Sequence, residues 1–260
     1  MGAAPVEMGF AAALSAAMLV SCCVLFVVGC SAEDPALRAL KERLATIPGG
    51  SVTLGSREGQ PHEHPRKVVV EGFLMGAREV SVSEFAVYLD DQQEPGSPLH
   101  PQMEWDGEHI RPQSGTTDLP VAHVSLSDAQ GYCRWLSGEC GVVVRLPTED
   151  EWEYAARGGI RRARYPWGWG GAPGRACYRA ASTSSCGTYA PNALGLYDVA
   201  GNVYEWCVGA EGSPPGATAY ARGGSWAERD EQFLAVYRRV EFPADYRDAD
   251  VGFRIVVEAP

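Results

Sequence analysis

A single α+β domain with long loops is the fold class this 260-residue sequence predicts, and three features carry the prediction. Thirty Gly and 18 Pro are more breakers than a helical bundle tolerates. Capping signatures headed by serine or threonine mark short helices, and brief alternating apolar runs mark strands between them. A hydrophobic content of 45% is enough for a packed core, which sets aside a disordered chain. The 33 Asp and Glu against 22 Lys and Arg give a net charge of −11, which repels phosphate backbones, so no nucleic-acid partner is expected.

The chain opens with an apolar stretch that carries no charge from Met8 to Gly29 and ends in Val27-Val28-Gly29-Cys30. A small residue followed by cysteine is the order of a bacterial lipoprotein cleavage box. Residues 1–29 are therefore expected to be a lipoprotein-type signal peptide with Cys30 lipidated, or else an uncleaved membrane anchor, since ~20 apolar residues suffice to cross a bilayer. Glu7 and the lack of any basic residue before Arg38 depart from the usual opening of a signal peptide. Both alternatives place the remainder outside the cytoplasm, held to a membrane of the cell envelope. Residues 30–46, with Leu37, Leu40 and Leu44 at helical spacing, are expected to be a tether, and residues 47–260 the domain proper.

The Gly49-Gly50 turn leads into alternating Val52 and Leu54, and Lys67–Phe73 alternates again, so two strands open the domain. Ser81 or Ser83 caps a helix running to about Leu89. Residues 91–118 have loop composition. Ser125 with Asp128 three residues on begins a second helix carrying Tyr132, Trp135 and Leu136, and Thr148 with Glu151 begins a third that stops at Gly158-Gly159. Val142–Arg145 is a short β-branched run, and Gly252–Val257 reads as a terminal strand. Trp152, Trp167, Trp206 and Trp226 are expected to form a packing skeleton. Beyond the leader and Cys30, five thiols remain, and an odd number cannot all pair within one chain. Cys177 and Cys186 bracket a polar loop with little else to order it, so a local disulfide is expected there. No CxxC or HxxxH spacing supports zinc.

Six blocks then read together. Val124-Ser125 with Asp128-Ala129 and Tyr132–Leu136, Arg145-Leu-Pro-Thr-Glu-Asp-Glu-Trp-Glu-Tyr-Ala-Ala-Arg-Gly-Gly159, Tyr165-Pro-Trp-Gly168, Asn192-Ala-Leu-Gly-Leu-Tyr-Asp-Val-Ala-Gly-Asn-Val-Tyr-Glu-Trp206, Arg222-Gly-Gly-Ser-Trp226 and Gly252-Phe-Arg254 stand in this order. The set resembles the sulfatase-modifying factor family, also called formylglycine-generating enzymes, over roughly Ile47 to Val257. The resemblance implies a variant C-type-lectin-like fold with little regular secondary structure.

It also implies an oxidase that converts a substrate cysteine to an aldehyde through two cysteines holding copper(I), downstream of the Gly-Gly-Ser-aromatic block. Here that stretch holds no cysteine: Glu228 matches the first position and a residue near Phe233 the second. Copper(I) wants soft thiolates, so copper is not expected. The resemblance further implies a structural calcium held by the side chains of Asp198 and Glu205 and the carbonyls of Gly201 and Val203, a shell of hard oxygens that suits calcium. A second family calcium site is replaced by the Cys177–Cys186 segment. Arg222, Ser225, Trp226, Glu228 and Arg254 are candidates to line the groove that in the family receives an extended peptide. Arg222, Arg238, Arg239, Arg247 and Arg254 are expected to pair with Asp230, Glu231, Asp245, Asp248 and Asp250. The function expected is a non-oxidase, calcium-stabilised binding or accessory lipoprotein that takes a peptide, glycan or envelope protein. The alternative is a formylglycine-generating-type oxidoreductase, or a related enzyme with a relocated metal site drawing on His62, His64 or Cys207.

Overall fold

Four α-helices and twelve short strands make up the described residues, which are 35–92, 100–209 and 218–258 of a computed structural model. The expected leader, 1–29, and the expected lipidation site Cys30 lie outside them. In chain order the elements are α1 (Pro35–Lys41), β1 (Leu44–Ile47), β2 (Gly50–Leu54), β3 (Arg66–Val70), β4 (Phe73–Gly76), α2 (Val82–Asp91), β5 (Met103–Trp105) and β6 (Ile110–Pro112). There follow α3 (Leu126–Cys140), β7 (Val144–Arg145), α4 (Glu149–Ala156), β8 (Tyr204–Cys207), β9 (Thr218–Arg222), β10 (Arg239–Pro243), β11 (Val251–Gly252) and β12 (Val256–Glu258). All of them belong to one compact unit. No helix among the described residues is long and apolar enough to cross a membrane.

Local chemistry sets the helices. Ser81, Ser125 and Thr148 each accept the N3 amide while the N3 acid reaches back to the cap amide, so α2, α3 and α4 all begin with a complete capping box. Helix α3 ends where Gly141 takes φ 65°, the left-handed turn glycine makes without strain. Its buried stripe of Ala129, Tyr132, Cys133, Leu136 and Cys140 faces the main core, where Tyr132 stacks on Phe85 of α2 at 5.8 Å and meets Phe253 edge-on.

The strands form two four-stranded sheets, β1-β4-β12-β7 and β10-β9-β8-β11, with the hairpins β2-β3 and β5-β6 beside them. The expected terminal strand is split between the sheets. Val251-Gly252 pairs parallel to β8, whereas Val256–Glu258 pairs antiparallel to β4 and β7, so the chain changes sheet across Phe253–Ile255. Gly252 is needed at this crossing because a Cβ there would stand 2.4 Å from the carbonyl oxygen of Val121. The crossing carries Arg254 inside, where it is fully buried.

Two further differences from expectation have plain causes. Residues 35–46 are part of the fold and not a spacer: Leu40 of α1 is buried in the main core, and β1 pairs with β4 from Leu44↔Gly76 to Ile47↔Phe73. The loop-like stretch 91–118 hides the β5-β6 hairpin, whose three-residue strands are too short to leave an alternation in sequence.

Candidate functional site

The loop from Asp198 to Glu205 is tightly constrained. Asp198 and Asn202 hold φ 53° and 65°, in the left-handed region that Asp and Asn enter more readily than other side chains. Gly201 has φ 82°, and a Cβ there would meet the Cys177 carbonyl oxygen at 2.2 Å. The loop delivers Glu205 into the core, 1% exposed, where Arg254 grips it with two hydrogen bonds of 2.6 Å and the Trp152 indole donates a third at 2.6 Å. Arg254 spends its remaining donors on the carbonyls of Gly76 and Tyr197. One side chain thus ties both sheets and the loop together. Asp198 accepts the amides of Gly187 and Tyr189.

Glu79 completes this cluster, and no feature of the sequence analysis pointed to it. It is 3% exposed, Asn202 donates to its Oε1 at 2.9 Å, and its Oε2 is buried with no partner. Burial first, and then the Asp198 carboxylate, push its carboxyl up to about 8. The same two kinds of cause raise Asp198, with burial first and Glu205 adding to it. Three carboxyl groups thus share one interior region with the single guanidinium of Arg254, which they in turn hold above its ordinary range against the opposing effect of burial. When all three are ionised, two negative charges are left uncompensated, the charge of one divalent cation.

The resemblance would set calcium here, on donors of the kind that ion takes. Asp198 and Glu205 offer hard oxygens, and a carboxylate has about four acceptor positions, of which three on Glu205 are taken by Arg254 and Trp152. The ligands would be two side chains and two carbonyls. Among the described residues no group of three or more His, Cys, Asp or Glu side chains is placed to hold a metal by itself. The relocated-metal alternative gains no support from that arrangement: His62 sits on a 3-10 turn with His64 at its end, and Cys207 is fully buried. Burial holds the Cys207 thiol well above the ordinary thiol range, far from a thiolate.

Of the five groove candidates, Trp226 and Glu228 are half-buried while the other three are interior. Ser225, wholly buried, donates to Asp250 at 2.9 Å, and the Trp226 indole donates to the Ala249 carbonyl at 3.2 Å. The Tyr204 hydroxyl donates to Glu228 in a short hydrogen bond. Glu228, which the resemblance sets at the first copper-cysteine position, is a hydrogen-bonded carboxylate here, and a carboxylate does not fit copper(I). Arg222 and Arg254 do not line a surface groove. They are 4% and 0% exposed and are consumed by buried acids.

The arginine pairing expected from sequence proximity is also corrected. Arg222 bridges Glu149 and Glu153, Arg238 pairs with Glu63, Arg239 with Glu149 and Glu241, Arg247 with Asp128 and Arg254 with Glu205. Partners come from distant helices and turns because the fold brings α4 and the 61–63 turn over the C-terminal strands.

The expected Cys177–Cys186 disulfide is absent: both are free thiols. Cys177 Sγ lies 3.7 Å from the Ser182 carbonyl oxygen, and Cys186 is partly buried. Burial, then the Glu79 and Asp198 carboxylates, raise the Cys186 thiol. The loop between them does not need a staple. Arg179 and Ala180 donate their amides to the carbonyls of Glu228 and Trp226, Ser184 donates to the Asn202 side chain, and Cys186 donates to the Asp118 carbonyl. This loop thus lines up against the groove segment and the Asp198–Glu205 loop at once.

Comparison with known proteins agrees with this architecture. The serine/threonine-protein kinase pkn1 of Chlamydia pneumoniae is 30% identical over 273 residues, which takes in 95% of this chain but 43% of that protein, so the chain spans less than half the length of this relative. The formylglycine-generating enzyme of Thermomonospora curvata is 34% identical over 220 residues, 63% of this chain and 70% of that one. Among solved structures, PvdO from Pseudomonas aeruginosa superposes with a TM-score of 0.69 at 27% identity, over 83% of this chain and 94% of that one. The fold is the C-type-lectin-like α+β fold of these proteins. The sulfatase-modifying factor enzyme 1-like domain matches residues 32–259, which takes in every described residue, and the chain belongs to that family.

Proposed function

We propose that this protein is a sulfatase-modifying-factor-like domain that binds a partner and does not oxidise it: an accessory lipoprotein of the cell envelope, stabilised by calcium, whose groove receives a peptide, glycan or envelope protein. The observation that carries the reading is Glu228. Where the resemblance puts the first copper thiolate, this chain has a carboxylate already engaged by the Tyr204 hydroxyl, and the stretch from Ala227 to Arg239 has no thiol to replace it. Carboxylate oxygen is a poor ligand for copper(I). Removing the redox centre while keeping the groove segment in place leaves recognition as the remaining use of the fold.

Calcium, when bound, supplies two positive charges to an interior that otherwise carries Glu79, Asp198 and Glu205 against Arg254. Asp198 and Glu205, with the carbonyls of Gly201 and Val203, would hold it. The chain's own residues do the positioning: Asn202 joins Glu79 to Ser184, and its carbonyl accepts the Trp226 amide at 2.9 Å, so order in the loop passes directly to the groove segment.

The experiment is elemental analysis of the full chain together with an aerobic assay on a cysteine-containing sulfatase-motif peptide. The expected result is calcium without aldehyde formation. Copper or iron at about one per chain, with aldehyde produced, would overturn the reading and establish an oxidoreductase.

A further inference from the structure

One stretch of the chain carries the opposite charge to the rest. From Tyr154 to Tyr197 there are six arginines and no Asp, Glu or Lys, in a protein of net charge −11. Of the six, only Arg157 is buried, where it pairs with Glu153. Arg161, Arg162, Arg175 and Arg179 are exposed and Arg164 is half-buried. Among the described residues the one ion pair these five make is Arg164 with Glu58, at 3.2 Å between exposed side chains, and such a pair is weak. Arg179 turns its Nε to the Arg229 carbonyl at 2.8 Å, which satisfies a donor and leaves the charge uncompensated. Glu231 also reaches this segment, accepting the Ala172 amide at 3.0 Å. Two acids thus stand against five arginines, and a positive excess remains.

The fold gathers these side chains around an exposed indole. Arg161 and Arg162 lie on the turn that the Ala163 amide closes onto the Ile160 carbonyl, and the next turn closes from Tyr165 to Gly168. The two turns touch, since a Cβ on Gly168 would stand 3.7 Å from Ile160 Cδ1. Trp169 follows directly and is 60% exposed. The rings before it stack, Tyr165 on Trp167 at 5.0 Å, with Arg164 over Tyr165 at 5.5 Å and Arg175 over Trp167 at 5.8 Å. Each guanidinium is steadied by a π-face and keeps its N–H donors for another partner.

We propose that this basic, tryptophan-bearing face docks on an anionic membrane surface, its arginines on headgroup phosphates and Trp169 at headgroup level. A bilayer takes both features at once: anionic headgroups attract arginine, and an amphipathic indole settles at the interface. A soluble polyanion would use the arginines and leave the Trp169 ring in water. The acidic remainder of the chain is repelled, so the molecule meets the surface by this face alone, and at physiological salt the screening length of about 8 Å lets the local patch decide contact. The inference is independent of the calcium and groove readings and adds a contact that the expected leader does not supply.

The test follows quenching of tryptophan emission in the full chain by vesicles with brominated acyl chains, either phosphatidylcholine alone or an equal mixture with phosphatidylglycerol. The part lost in Trp169→Phe reports this face however the leader binds. Quenching that depends on Trp169 is expected on the anionic vesicles and not on the neutral ones, and it should vanish when salt rises from about 0.1 M to 1 M, which cuts the Debye length from ~10 Å to ~3 Å. Arg161→Gln combined with Arg162→Asn removes two exposed charges, asparagine being suited to the φ of 58° at 162, and should weaken the vesicle titration by about tenfold or more. Arg175→Gln, a second exposed site, should weaken it about fivefold, whereas Arg247→Gln, which removes an exposed pair with Asp128 elsewhere, should leave it unchanged. No Trp169-dependent quenching on anionic vesicles, equal quenching on neutral ones, or full binding by the Arg161 and Arg162 double variant would overturn the proposal. Binding of a soluble anionic glycan without that quenching would overturn it too, and would mark the face as a glycan site.

Discussion

His100 shows how one side chain can make the fold pH-dependent. Its Nε2 lies 2.8 Å from the Ala122 carbonyl oxygen and its Nδ1 accepts the Gln102 amide at 3.3 Å, so the neutral ring satisfies both neighbours: one nitrogen donates and the other accepts. A proton on Nδ1 would remove the acceptor. Burial is the main reason the ring is held down to about 4 from 6.5, partly offset by the Ala122 hydrogen bond. Above about pH 6.5 both folded and unfolded chains carry the neutral ring. As pH falls from there toward 4, the unfolded chain takes up the proton first, so stability is lost across that window, by roughly 3 kcal/mol at most. Chemical denaturation from pH 7 to 4 should show that component, and His100→Gln should flatten it. The buried Glu205–Arg254 pair makes a sharper case. Replacing Arg254 by Met leaves an uncompensated carboxylate in the core and should cost about 3–5 kcal/mol, measurable as a drop in denaturation midpoint. Lysine at 254 should recover little of it, because an ammonium cannot reproduce the two-pronged grip.

The three capping boxes act at the level of the element. In each, one hydroxyl and one carboxylate satisfy amides that the first turn of α2, α3 or α4 cannot pair internally. Ser81→Ala, Ser125→Ala and Thr148→Ala should each lower stability by about 1 kcal/mol. The three should be nearly additive, because the caps share no partner; a combined loss well short of the sum, in urea denaturation, would show that the helices are not independently anchored. These helices were legible in the sequence because a capping box is written in four consecutive residues. The split at Phe253–Ile255 was not, since a short run that is apolar but for Arg254 says nothing about which sheet each half joins. Nor was the order of the 178–186 loop: its partners, Asp118, Asn202 and the Trp226–Glu228 segment, come from three separate places in the chain. With those bonds invisible, a disulfide looked like the only available constraint.

At the scale of the whole molecule, stability rests on how the interior balances its charge. The blocks that hold Asp198–Glu205 and Glu228 were visible in the sequence as motifs of the resemblance. Glu79 and the true partners of the arginines were not, because a buried ion pair leaves no periodic trace and its members lie up to 175 residues apart, as Arg238 and Glu63 do. The consequence of Glu79 is a prediction about calcium. An interior with three carboxyl groups and one guanidinium is costly until a cation enters or a proton is retained, and the raised Glu79 and Asp198 are the signs of that cost. A cation that binds only the folded chain stabilises it by about 2.7 kcal/mol at a hundred times its dissociation constant. In a domain of this size that corresponds to a rise in Tm of roughly 5–10 °C. Melting the full chain in millimolar calcium and again in excess chelator should show this difference, and magnesium, which demands tighter octahedral geometry, should restore less of it. Asp198→Ala should abolish the calcium response, whereas Arg239→Gln, in the other polar network, should keep it. Identical melts with calcium and with chelator would mean that Arg254 alone balances the site, with Glu79 keeping its proton in the working protein.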